Sequence, residues 1–164
     1  PYIRRLRNLV GHDLLLLPSV AVLPRDDAGR ILLVRQADTR RWATIGGSVE
    51  VDEHPADAAV READEEAGVS VELTGLVTAL GGPEFRMTYP NGDETAYVSI
   101  VYEARVVGGT PRPDNDETVE VAWFHPAELA GVELDGFARH AFAAIGLLDA
   151  GPDGVTAGDA AITG

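Results

Sequence analysis

The chain is a succession of short apolar runs broken by turn-forming residues, and two of its segments change from strand-like to helical spacing. Apolar and β-branched runs at 20–23 and 31–35 flank Asp26-Asp27-Ala28-Gly29, which predicts two strands joined as a hairpin. Residues 69–80, 84–89, 95–107 and 119–124 read as further strands, with Pro90-Asn91-Gly92-Asp93 turning the chain between the second and third of these. From Pro55, a favourable first helical residue, Ala56, Ala59, Val60, Ala63 and Ala67 recur at helical spacing. His54 precedes that helix as its cap and Gly68 offers a left-handed stop. A stripe made almost wholly of alanine implies close packing of helix 55–67 against a sheet. A second amphipathic helix is expected at 136–148, with Phe137, Ala141, Ile145 and Leu148 on one side, after a short helical turn at 126–129.

Strands with at least two intervening helices predict an α/β or α+β layered domain around a mixed sheet, spanning 1–148. Residues 1–13, with Arg4, Arg5 and Arg7, form a short lead-in of helical character. The stretch 149–164 is rich in Gly, Ala and Asp and has little to bury, so a flexible tail is expected there.

Length and composition narrow the function. A chain of 164 residues with 45% hydrophobic content suits one well-formed core. The longest apolar stretch, 14–23, is broken by Pro18 and too short to span a bilayer, so no membrane role and a cytoplasmic location are expected. A formal charge of −14 argues against a nucleic-acid polymer as partner, because such binding draws on many cationic contacts to phosphate. All 13 basic residues are Arg, which suits bidentate phosphate contacts. With no cysteine, any metal must be held by oxygen or imidazole, and His12, His54, His125 and His140 show no ligand spacing. No calcium-binding loop of alternating acids ending in Gly and a later Glu is present.

The chemistry concentrates on helix 55–67. Glu62, Glu65 and Glu66 stand at i, i+3 and i+4, so their side chains share a face and repel one another by roughly 0.2–0.5 kcal/mol per pair. A hard divalent cation would relieve that repulsion, since Mg²⁺ takes an oxygen shell completed by water. Arg61 is expected to point about 100° away and to reach Glu53 in the preceding loop.

Gly47, Glu53, Arg61, Glu62, Ala63, Glu65, Glu66, Gly68 and Val69 also fill a longer pattern: glycine, five residues, Glu, seven residues, Arg-Glu, an apolar residue, any residue, Glu-Glu, any residue, glycine, apolar residue. This resembles the signature of the Nudix hydrolases. Two places depart from the usual pattern: Ala63 is smaller than the common Leu or Val, and Ile45 stands where many members have proline. The resemblance implies a sandwich of helices around a mixed sheet and hydrolysis of a nucleoside diphosphate linked to another moiety. Candidate substrates are ADP-ribose, a nucleotide sugar or a nucleoside triphosphate. It further implies Mg²⁺ or Mn²⁺ bound by Glu62, Glu65 and Glu66 beside Gly47, with Glu53 and Arg61 orienting the loop. Family analogy also suggests a homodimer.

A general base could come from this signature, the Nudix box of residues 47–69, or from a later loop, where Asp116, Glu117 and Glu120 are candidates and Glu117 is favoured. Arg35 and Arg86 are candidate phosphate contacts, and Phe85, Tyr97 and Trp42 are candidate stacking partners for a base. The competing reading is a catalytically weak module of the same fold that binds or senses a nucleotide.

Overall fold

The computed structural model describes residues 2–149, so the expected tail falls outside the described residues apart from Asp149. The elements are α1 (Tyr2–Val10), β1 (Leu15–Arg25), β2 (Ile31–Gln36), β3 (Trp42–Ala43), β4 (Ile45–Ser48), α2 (Pro55–Ala67), β5 (Val69–Leu80), β6 (Arg86–Thr88), β7 (Glu94–Gly109), β8 (Thr118–Phe124) and α3 (Gly136–Ala144), with 3₁₀ turns at Pro83–Phe85 and Pro126–Gly131. They form one mixed sheet, ordered β3-β2-β1-β7-β5, with β4 on β1, β6 on β7 and β8 on β2.

β1 organises the sheet. Its run Val20 to Leu23 is buried on both faces, as a central strand requires. It pairs in parallel with β7 from Leu15↔Thr95 to Arg25↔Arg105. On its other side it pairs with β4 from Ser19↔Ser48 to Val22↔Ile45. Pro18 and Pro24, which have no N–H to give, bracket that four-residue pairing. The expected hairpin is present but short: β1 and β2 are joined by a tight turn and pair antiparallel at Arg25↔Ile31. Asp26 holds the turn by accepting from the N–H groups of Ala28 and Arg30. β2 also pairs with β8 and β3.

Alternation along β1 and β2 divides the core. Val20, Val22, Leu32 and Val34 pack with Ala58, Ala59, Ala63 and Ala67 of α2. Ala21, Leu23, Ile31 and Leu33 pack on the other face with Leu129, Ala138 and Phe142. Helices thus cover both faces of the sheet.

Helix α2 starts at Pro55 and ends at Gly68, whose φ of 64° places it in the left-handed region and whose N–H caps Ala63 and Asp64. Two details of the sequence reading change. Val60 is exposed while Ala58 is buried, so the stripe is rotated from the expected one, and His54 sits at the cap position without a side-chain cap bond. α3 is shorter than expected, ending at Ala144 before Gly146, which has φ 77°. The expected strand at 84–89 is a 3₁₀ turn followed by β6, because Phe85 folds inward and its N–H bonds Gly82. α1 buries no residue and is tied down by Arg7, which donates to Gly11 O, Asp13 O, Glu94 O and the Thr95 hydroxyl.

Candidate active site

β4 was not evident in the sequence, since Gly46-Gly47 reads as a loop. The strand forms by pairing with β1, and the two backbones pass so close that a Cβ at position 46 would run into the carbonyl oxygen of Val20. One residue on, a Cβ at Gly47 would collide with the Glu62 carboxylate. The glycines therefore let a bare strand lie beneath the acidic face of α2.

Arg61 is the centre of the polar network. Its Nε and Nη2 donate to Glu53 Oε1 and Oε2 at 2.8 and 3.0 Å. Its Nη1 donates to Glu62 Oε1 at 2.8 Å and Glu65 Oε2 at 3.0 Å, and Nη2 also reaches Ser48 O at 3.2 Å. The expected pairing with Glu53 is present, but the expectation that Arg61 turns away from the glutamate face is corrected. A Cα direction fixes only where a side chain starts, and a long guanidinium stem bends back.

The three glutamates are not equivalent. Glu62 lies on the buried stripe, 8% exposed; Glu66 is half-buried and accepts from Gly46 N at 3.0 Å; Glu65 is exposed. Burial, opposed by Arg61, raises the Glu62 carboxyl above its ordinary range. Burial pushes Glu66 up to about 8; the bond from Gly46 N pulls the other way, and repulsion from Glu62, Glu117 and Asp114 adds to the rise. Glu53 moves the opposite way, to about 2, chiefly because of its hydrogen bonds from Arg61 and from Glu50 N.

A cleft of about 460 Å³ is lined by Gly46, Gly47, Ser48, Glu62, Glu65, Glu66, Asp114 and Glu117. Five of these eight residues are acidic and none is basic, so the lining is a set of hard oxygen donors suited to a divalent cation. The space that glycine leaves beside the Glu62 carboxylate fits the same purpose. Among the described residues the carboxylates do not yet converge as a closed metal shell, with Glu62 and Glu65 each turned to Arg61.

Of the later-loop candidates, Glu117 lines the cleft, while Glu120 is paired with Arg35 at 3.0 Å and Asp116 is exposed outside it. Arg86 sits 3.7 Å from Glu94. Neither Arg35 nor Arg86 lines the cleft. Phe85 is a core residue, its ring edge-on to Phe137 and His140, which leaves no face for a base. Trp42 stacks edge-on against Phe124, with centroids 4.8 Å apart. Tyr97 lines a separate pocket of about 430 Å³ with Ile3, Arg7, Leu17 and Tyr89, and its hydroxyl lies 2.6 Å from that of Tyr89. Gly46, Ser48 and Asp114 are cleft residues the sequence reading missed. Asp114 had a visible signal, because Asp-Asn-Asp-Glu-Thr is the composition of a side-chain-held turn.

Comparison with known proteins identifies the family. The NUDIX domain family matches residues 15–144. A MutT-like protein of Streptomyces ambofaciens is 34% identical over 113 residues, 68% of this chain and 66% of that protein. A nucleoside triphosphatase, NudI, of Salmonella agona is 33% identical over 128 residues, 73% of this chain and 90% of that one. The crystal structure of a MutT NUDIX hydrolase from Burkholderia pseudomallei superimposes with a TM-score of 0.63 at 26% identity, covering 76% of this chain and 94% of the other. Box, fold and relatives converge, and the chain belongs to the Nudix hydrolase family.

Proposed function

We propose that the chain is a divalent-metal-dependent pyrophosphohydrolase that cleaves a phosphoanhydride in a small nucleotide: ADP-ribose, a nucleotide sugar or a nucleoside triphosphate. The observation that carries this reading is the cleft whose charged residues are all acidic, in which Glu62, Glu65, Glu66, Asp114 and Glu117 surround a space floored by Gly46 and Gly47. Such a lining would repel a diphosphate unless cations came with it. Glu62, Glu65 and Glu66, beside Gly47, would hold Mg²⁺ or Mn²⁺. Bound there, the ion would acidify a water and neutralise charge on the phosphoryl oxygens.

The chain's own groups take the remaining roles. Glu117 accepts the proton of the attacking water, its carboxylate being in the cleft and outside the Arg61 network. Arg61 and Glu53 hold the loop before α2 against the helix. Leu17 and Tyr97 share the face of the sheet that carries Ala21, Leu23 and Val101, away from α2, so Tyr97 is given no role at the acidic cleft.

The test is a product-resolved screen of ADP-ribose, nucleotide sugars and nucleoside triphosphates with Mg²⁺ and Mn²⁺. Turnover that vanishes in chelator and in Glu65→Gln is expected. Saturable binding of ADP-ribose with no cleavage of any substrate would instead assign a nucleotide-binding module.

A further inference from the structure

The segment that carries Glu117 is built with more hydrogen bonds than a surface loop needs. Asp114 Oδ1 accepts from three successive backbone N–H groups, those of Asp116 at 2.9 Å, Glu117 at 3.0 Å and Thr118 at 2.8 Å. Asn115 adopts φ 66°, in the left-handed region that Asn tolerates better than most residues, and its N–H closes the turn on Thr118 O at 2.9 Å. On the other side of the same residue, Glu117 O accepts from Ala37 N at 2.8 Å. The Glu117 backbone is thus gripped at both its N–H and its C=O, while its carboxylate is left to the cleft.

The turn is also fastened to the glutamate helix. The last carbonyls of a helix lack partners within it. At the end of α2, Ala67 O receives Arg112 N at 2.9 Å and Glu66 O receives the Thr118 hydroxyl at 2.8 Å. Thr118 is 1% exposed, and its hydroxyl also accepts from Asp114 N at 3.2 Å. One short chain of bonds therefore runs from Glu117 N through Asp114 and Thr118 to the backbone of Glu66. It sets the later-loop carboxylate in register with the box carboxylates.

We infer that Asp114 is a positioning residue, which with Thr118 fixes where the Glu117 carboxylate stands relative to Glu66. The inference rests on Glu117 acting as the base in the proposed reaction. Asp114 itself lines the cleft, so the experiment must separate a geometric role from a direct electrostatic one. Asparagine keeps the Oδ1 acceptor and loses the charge; alanine loses both. The same pair of questions applies to Thr118, where serine keeps the hydroxyl and valine keeps only the shape.

Initial rates are measured on ADP-ribose and nucleoside triphosphates at saturating Mg²⁺, with circular dichroism and melting temperature as checks on folding. Asp114→Ala is expected to lower kcat by about ten- to a hundred-fold with KM within about three-fold, the size of effect that misplacing a catalytic group produces. Asp114→Asn restores the rate to within about three-fold of the wild type, and Thr118→Ser does the same for Thr118→Val. In a Glu117→Gln background, Asp114→Ala adds less than about two-fold, because there is no base left to misplace. Equal loss in the Asn and Ala variants would show that the Asp114 charge acts directly and would overturn the inference, as would full additivity with Glu117→Gln. Wild-type turnover in Glu117→Gln removes the base assignment beneath it. An impaired Glu117→Gln beside an unimpaired Asp114→Ala removes the positioning role alone. If Asp114→Ala does not fold, the Thr118→Val and Thr118→Ser comparison decides on the same criteria.

Discussion

Arg61 grips Glu53 through two nitrogens, Nε on Oε1 at 2.8 Å and Nη2 on Oε2 at 3.0 Å, and this fork joins the loop after β4 to the first half of α2. The same guanidinium is shared with Glu62 and Glu65. Arg61→Ala should lower stability by about 1–3 kcal/mol, the usual range for charge-assisted hydrogen bonds, with a further penalty from leaving buried Glu62 beside two unneutralised carboxylates. Arg61→Lys should recover less than half of this, because an ammonium cannot reproduce the fork. Urea unfolding of the three proteins in chelator gives the comparison, and equal stabilities for Lys and Arg would contradict it.

The pH dependence follows from Glu53. Its folded pKa, about 2, lies below its ordinary value of 4.5, so its contribution to stability is complete above about pH 4.5 and is lost as pH falls through about 2. Melting temperatures taken between pH 5 and pH 2.5 should fall more steeply for the wild type than for Glu53→Gln, with the two curves converging at the acid end. Parallel curves would mean that the pair does not persist in solution.

Glu66 carries the opposite tension. Its carboxylate is half-buried among other acids, so Glu66→Gln should stabilise the metal-free protein while abolishing its function. In chelator a gain of about 1 kcal/mol would raise the melting temperature by about 2–4 °C in a chain of this size. Activity in Mg²⁺ should fall on the order of a hundred-fold or more, since even groups one step removed from a metal commonly cost ten- to a hundred-fold. Added Mg²⁺ should raise the melting temperature of the wild type and leave that of the variant nearly unchanged.

Gly47→Ala isolates the clearance beneath Glu62. The added methyl meets the Glu62 carboxylate, so Glu62 must move, and kcat should drop about tenfold or more. Gly75→Ala in β5 is the control, because a Cβ there meets nothing within 4 Å. Its activity should match the wild type and its stability should stay within about 0.5 kcal/mol. If both variants behave alike, the close approach of Gly47 and Glu62 has no catalytic meaning.

The sequence revealed the glutamate helix because its signals are local: Pro55 begins it, Gly68 ends it, and the spacing of Glu62, Glu65 and Glu66 needs no tertiary information. What stayed hidden depended on partners far away in the chain. Residues 46 and 47 have no side chains to announce a strand, and β4 is defined only by its pairing with β1 from Ser19↔Ser48 to Val22↔Ile45. The burial of Glu62 beside an exposed Glu65 depends on which edge of α2 meets the sheet, and the alanine run left that rotation open by about one residue. Phe85 and Tyr97 are both aromatic and flank the same turn, yet one enters the core and the other lines a pocket. Composition cannot separate them.

The two-sided pairing of β1 also bears on how the molecule assembles. Its parallel partner β7 enters the chain much later, with Leu15 set against Thr95 and Arg25 against Arg105, so the sheet's central pair has to close a long loop before it returns any contact energy. The glycine floor of the cleft hangs on the same strand through β4. During synthesis, then, an early fragment ending after α2 would already hold every glutamate of the box and still lack the strand that fixes β1 from the other side. The signature glutamates are encoded in the first half of the chain, while Glu117 and the strand that fixes β1 wait for the second.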